Sequence, residues 1–155
     1  MRGQDTNYII GINWGSTNFR AYRIDTDGTV SATIEQPRGI AGLERSQMQA
    51  LLEDVAAAWP HASRIYASGM IGSNIGWSDA GYVECPASPH AIAGHLHEVR
   101  IGTHAVAIVP GLACRRGDGA PDIMRGEETE LLGMVALGTI PATGLVALPG
   151  THSKW

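Results

Sequence analysis

The sequence predicts an α/β domain: a mixed sheet with an antiparallel N-terminal meander, parallel strands added beside it, and helices flanking it. Three observations carry that reading. Three strand-like runs separated by turn residues fill positions 8–36. Met48, Leu51, Leu52, Val55 and Trp59 then recur at helical spacing, and two later apolar runs, 64–68 and 103–109, stop at Gly69 and at Pro110-Gly111. Strands alternating with helical patterns point to parallel addition.

The first strand, at about 8–14, is rich in β-branched residues, as a buried strand requires. Phe19–Ile24 and Thr29–Ile34 follow, joined by Asp25-Thr26-Asp27-Gly28, a hairpin signal. Gln36-Pro37-Arg38-Gly39-Ile40-Ala41-Gly42 breaks the pattern before a helix over 45–58, whose apolar stripe is read as core. The glycine-rich 69–77 loop follows the 64–68 strand. A short helix is expected near 90–98. His90, His95 and His97 invite a metal reading there, but residues two apart on a helix point away from each other, so they are read as a solvated surface. The polar Arg115–Pro121 stretch reads as a mobile connection, 127–138 as a helix, and 145–148 as a strand.

Composition excludes several functions. With 155 residues and 44% hydrophobic content the chain is large enough for one core. A net charge of −4 and scattered Lys and Arg leave no basic field for nucleic acid or an anionic membrane surface. No segment approaches the roughly 20 apolar residues of a membrane span, and the first seven residues lack a signal-peptide core. Cys85 and Cys114 have no CxxC spacing and read as two reduced thiols. A soluble, cytoplasmic protein is the expectation.

Two strands run into small, hydroxylated turns: Gly15-Ser16-Thr17, and Gly150-Thr151-His152-Ser153-Lys154. Free backbone N–H groups and hydroxyls suit phosphate oxygens at such bends. The first lacks the Gly-Lys-Ser/Thr of a Walker loop and is followed by a strand, so the anion would lie in a hairpin mouth. The 69–77 loop offers close backbone approach, with Ser68, Ser73 and Asn74 as polar partners and Trp77 as a flat wall, which suits substrate recognition. The alternative is a loop whose glycines serve its turns and whose Trp77 fills the core. In Met124-Arg125-Gly126-Glu127-Glu128-Thr129-Glu130 the acidic residues crowd a helix start, where the dipole favours carboxylates.

Taken together, Asn13–Arg20, Ser68–Ser73, Gly76-Trp77, Tyr82–Ala87, Val109–Leu112, Asp122–Glu130 and Leu148–Trp155 resemble the 2-dehydro-3-deoxygalactonokinase family, of the sugar kinase, hexokinase, Hsp70 and actin superfamily. The resemblance implies a ribonuclease H-like (actin-like ATPase) domain over 1–142, with 143–155 as the first strand and phosphate turn of a second domain. It implies ATP-dependent phosphoryl transfer, with Mg2+, to a hydroxyl of a 2-keto-3-deoxy sugar acid.

In that picture Gly15, Ser16, Thr17 and Arg20, with Gly150, Thr151, Ser153 and Lys154, meet ATP phosphates. Ser68, Gly69, Met70, Gly72, Ser73, Trp77 and Arg125 meet the sugar acid. Glu127 or Glu128, with Asp122 as runner-up, takes the hydroxyl proton. Asn13 stands where the metal-organising Asp of the family is expected, and an amide brings no charge to that task. A hydrolase or chaperone of the superfamily is disfavoured by the 69–73 and 124–128 motifs. A domain that binds sugar acid or a partner without phosphoryl transfer is the alternative. Since the chain stops where the second domain would begin, the chain alone is expected to be inactive, and association with a separate second-domain chain or a further copy of itself is expected.

Overall fold

The computed structural model describes residues 7–150 and 152–155. Three strands, β1 (Tyr8–Trp14), β2 (Phe19–Asp25) and β3 (Val30–Gln36), form the expected antiparallel meander. Helix α1 (Arg45–Ala58) leads to β4 (Arg64–Gly69), which pairs with β1 in parallel, Ile9 opposite Arg64 through Trp14 opposite Gly69. One turn of 3-10 helix, Met70–Gly72, opens the loop that follows. Then come β5 (Tyr82–Glu84), α2 (Pro89–Ala93), β6 (His97–Ile101), β7 (His104–Ile108), β8 (Gly111–Arg115), β9 (Pro121–Met124) and α3 (Glu127–Ala136). The strands make a six-stranded sheet in the order β3-β2-β1-β4-β7-β6 and a three-stranded sheet in the order β5-β8-β9.

The core lies between the large sheet and α1. Alternate residues of β1, Tyr8, Ile10, Ile12 and Trp14, are buried on that face and meet Met48, Leu51, Leu52 and Val55 of the helix. This is the period-two pattern of a strand answered by the 3.6-residue pattern of a helix. The helix start is secured where the Gln47 side chain accepts from the Glu44 N–H at 2.9 Å. Phe19 packs edge-on against Trp14, with ring centroids 4.8 Å apart. On the opposite face Gly11 and Asn13 are only half-buried, and α3 buries none of its apolar residues fully.

Three expectations need correction. The helix near 90–98 stops at Ala93, because Gly94 caps it, and 97–101 is a strand. Val99 and Ile101 point inward while Glu98 and Arg100 are exposed, an alternation that belongs to a strand. His97 therefore sits on β6, where Nε2 meets the Ser78 hydroxyl at 2.8 Å, and His95 Nδ1 meets the Ala91 carbonyl at 2.7 Å. Residues 145–148 form no strand, and only an isolated bridge joins Leu148 to Lys154. The β5-β8-β9 sheet was not foreseen, and the Arg115–Pro121 connection proves to be the tight turn of its hairpin, where Arg116 N donates to Ala120 O. No helix among the described residues is long and apolar enough to cross a membrane.

Candidate functional site

The parallel strands β1, β4 and β7 deliver their C-terminal ends to one edge, where open α/β sheets commonly receive ligands. Three backbone segments meet there without side chains between them. Gly69 has φ of 92°, and a Cβ on it would come within 2.7 Å of the Trp14 carbonyl oxygen. Gly126, at φ of 106°, would place a Cβ 3.2 Å from the Gly69 Cα. The end of β1, the end of β4 and the start of α3 are thus packed backbone on backbone, which only glycine permits.

In front of this junction lies a cavity of about 730 Å³, a size that suits a small-molecule ligand. Gly15 and Ser16 line it from the first small turn, Gly150, His152 and Lys154 from the second, Met70, Ser73 and Asn74 from the loop, and Arg125, Glu127 and Glu130 from the start of α3. Four stretches singled out in the sequence therefore share one cavity.

Not every candidate residue faces it. Thr17 is exposed, with Oγ1 accepting from Asn18 Nδ2 at 3.2 Å. Arg20 pairs with Glu35 at 3.4 Å along the meander and, with Asn13 and Ser68, borders a second cavity of about 290 Å³ on the far face of the sheet. Glu130 lines both cavities. Ser68 is buried and its hydroxyl donates to the Ile12 carbonyl at 3.4 Å. Gly72 abuts Arg125, since a Cβ there would lie 3.0 Å from Nη1. Trp77 packs against the core and is covered by the Arg45 guanidinium, 3.9 Å from the ring centroid. Ser153 is exposed, and Thr151 lies outside the described residues.

The carboxylates differ sharply in environment. Glu127 Oε2 accepts from the Arg125 backbone N–H at 3.0 Å and borders the cavity. Glu128 is 1% exposed, and both its oxygens accept from Gly126 N, at 2.9 and 2.8 Å, so it fastens the turn into α3. Burial pushes the Glu128 carboxyl up to about 7, helped by the neighbouring Glu127 charge and opposed by the Gly126 hydrogen bonds. Asp122 accepts from Lys154 Nζ at 2.6 Å, which holds its carboxyl below the usual range and seats the second turn against β9. Asn13 Nδ2 donates to Glu130 Oε1 at 3.1 Å.

Arg125 has an unusual position. Its side chain is only 5% exposed, with Cζ 4.4 Å from the Tyr82 ring centroid and Nη2 donating to Gly81 O at 3.1 Å. Nε and Nη1 meet no protein acceptor. Asp79 Oδ1 lies 3.7 Å from Nη2, and the two donors left over favour a further acceptor, because an unmet buried donor is costly.

Sequence reasoning passed over several residues of this site. Tyr82 and Ile123 line the cavity from a sheet that had not been foreseen. Gly39, Ile40 and Ala41 support the first turn: Ile40 N donates to Gly15 O at 2.9 Å and Ala41 N to Ser16 O at 3.0 Å. The glycines of 36–42 were the available signal.

A family profile described as 2-keto-3-deoxy-galactonokinase matches residues 13–155. The chain belongs to this family. Its relatives include a Rhizobium meliloti (strain 1021) protein described as a 2-dehydro-3-deoxygalactonokinase, 38% identical over 151 residues, or 96% of this chain and 48% of the relative. The 2-dehydro-3-deoxygalactonokinase of Escherichia coli (strain K12) is 37% identical over 151 residues, 97% of this chain and 49% of the relative. A crystal structure of a Sinorhizobium meliloti protein, described as belonging to the same kinase, superposes with a TM-score of 0.82 at 38% identity, over 96% of this chain and 49% of that one. The chain thus spans about half the length of the relatives it matches.

Proposed function

We propose that this chain forms the substrate-facing half of a kinase that transfers the γ-phosphoryl group of ATP to a hydroxyl of a 2-keto-3-deoxy sugar acid such as 2-dehydro-3-deoxygalactonate. The observation that carries the reading is the single cavity bordered by both small-residue turns, the 70–74 loop and Glu127. The sheet order supports a ribonuclease H-like domain: an antiparallel 3-2-1 meander followed by the parallel strands β4 and β7. Family membership supplies the reaction class.

Glu127 is the base this geometry favours. Position comes before acidity for a proton acceptor, and Glu127 borders the cavity whereas Glu128 is enclosed behind it. Asp122 is engaged with Lys154. In the reaction the sugar-acid hydroxyl oxygen forms a bond to the γ-phosphorus and the bond from that phosphorus to the β,γ-bridging oxygen breaks. ADP leaves with the electron pair, and Glu127 takes the hydroxyl proton. Gly15, Ser16 and the second turn hold phosphate oxygens through N–H and hydroxyl donors. Met70, Ser73 and Asn74 border the sugar acid, and Arg125 supplies the positive charge opposite its carboxylate.

The residues fit a magnesium ion brought in with the triphosphate. Mg2+ prefers oxygen ligands, keeps several waters and is commonly held by one or two carboxylates plus substrate phosphates. Among the described residues no group of three or more His, Cys, Asp or Glu converges, and the carboxylates that border the cavity with the first turn are Glu127 and Glu130. The bound ion would neutralise charge on the transferring group.

The test is ATP-dependent product formation by the chain alone and by the chain with the C-terminal half of a relative supplied separately. No turnover in the first case and measurable turnover in the second are expected. Failure of the pair to turn over, with both halves folded and associated, would overturn the reading.

A further inference from the structure

The two cysteines of the chain come together in the small sheet. β5 runs parallel to β8 with Tyr82 opposite Gly111, Val83 opposite Leu112 and Glu84 opposite Ala113, and the next residue on each side is a cysteine, Cys85 and Cys114. The pairing reaches them, since Cys85 N donates to Ala113 O at 2.8 Å, the bond a parallel ladder makes when Cys85 stands opposite Cys114. Residues opposite each other in a parallel pair project to one face, and both cysteines line one small hollow of about 60 Å³ with Asp122 and Lys154. Both thiols are free, Cys85 exposed and Cys114 half-buried. Partial burial pushes the Cys85 thiol up, helped by the neighbouring Cys114 and Glu84 charges. Paired strands lie about 4.8 Å apart, inside the Cα separation of roughly 4.4–6.8 Å that a disulfide spans.

We propose that Cys85 and Cys114 form a dithiol modification site, closed to an intrachain disulfide by exchange with a low-molecular-weight disulfide and reopened by thiols. The thiolate of the exposed Cys85 attacks one sulfur of the reagent, forming a mixed disulfide and expelling the first reagent thiolate. The Cys114 thiolate then attacks the Cys85 sulfur, forming the protein S–S bond and expelling the second. Both protein sulfurs are oxidised, and the reagent is reduced to two thiols that carry the two protons the cysteines lose. β5 is only 3 residues long and lies at the edge of its sheet, so a small shift of Cys85 brings the side chains into bonding geometry. Between the cysteines the chain leaves to build α2, β6 and β7, so the new bond would fasten β5 to β8 where hydrogen bonds alone now join them. Tyr82, on the same short strand, lays its ring against Arg125 and lines the larger cavity, so closure would fix one wall of that cavity.

The experiment treats the full chain with oxidised glutathione under native conditions, quenches it with acid, and reads free thiols, intact mass and non-reducing electrophoretic mobility. The expected product is a monomer without free thiols, lighter by two hydrogens, whose proteolytic map joins the Cys85 and Cys114 peptides and which dithiothreitol restores. Cys114→Ser should instead keep a stable glutathione adduct on Cys85, because no second thiol displaces it. Stable glutathione adducts on both cysteines of the unaltered chain, two thiols left unreacted, crosslinks between chains only, or closure only in urea would each overturn the proposal.

Discussion

Gly39 supports the Ser16 backbone so closely that a Cβ at position 39 would lie 2.1 Å from both the carbonyl carbon and oxygen of Ser16. The same atom would be 2.1 Å from the Thr17 nitrogen, so no side chain fits without displacing the turn. The adjoining Trp14 indole N–H donates to Arg38 O at 3.1 Å, which fastens the 38–41 segment beneath the end of β1. The first small turn is therefore shaped by a stretch more than twenty positions away in sequence.

Gly39→Ala should destabilise the chain by about 1–3 kcal/mol, the usual cost of forcing atoms into a filled space. Gly117, which has open space and no positive φ, serves as the control, and Gly117→Ala should stay within about 0.5 kcal/mol of the parent. Urea midpoints measure both. Equal, small effects would mean that the turn yields easily and is not held in shape by residue 39.

Glu128 makes stability depend on pH. Its carboxyl titrates near 7 when folded but near its ordinary value of 4.5 when unfolded, so between those limits the folded state binds more protons. Stability should then fall as pH rises from about 4.5 through 7 and level off above, by about 3 kcal/mol in all. Glu128→Gln keeps an acceptor for Gly126 N–H and removes the titration, so its unfolding midpoint should decline less over that window and exceed the parent's at pH 8. Parallel profiles for the two proteins would show that Glu128 is not the group responsible.

Arg125→Met should separate folding from recognition. The Asp79 carboxylate that pairs with Arg125 is largely exposed and stays solvated when the guanidinium is removed, so the melting temperature should change little. Loss of a charge-assisted pair should weaken binding of the sugar acid roughly 10–100-fold, while a sugar of the same skeleton lacking the carboxylate binds both proteins equally poorly. Calorimetric titration reads both ligands. Undiminished binding of the acid by the variant would remove Arg125 from the recognition surface.

Much of the fold was legible because its signals are local. The meander strands carry β-branched runs and turn residues, and α1 carries a clean apolar stripe, so its observed bounds, Arg45–Ala58, agree with the expected ones. The parallel pairing of β1 with β4 followed from the intervening helix. Strand β6 was hidden because the histidines around it mask a period-two pattern whose inward members are few, and because Gly94, which ends the preceding helix, is a single residue inside an otherwise helix-compatible run. The second sheet was hidden because β5 and β9 are only 3 and 4 residues long. At the site, the glycine and acidic motifs showed which stretches converge. Burial decides the rest: nothing in Glu127-Glu128 says which side chain faces the cavity, and nothing near Asn13 announces a partner 117 positions away.

The central claim is that the cavity is a phosphoryl-transfer site in which Glu127 takes the proton from the sugar-acid hydroxyl. The most direct measurement is the turnover of Glu127→Gln in the chain assembled with a supplied C-terminal half, at saturating ATP and sugar acid. The account predicts a fall of about 10²–10⁴-fold in kcat, little change in melting temperature, and a much smaller effect for Asp122→Asn. Turnover of Glu127→Gln equal to that of the unaltered assembly, or an equally large loss in Asp122→Asn alone, would contradict it.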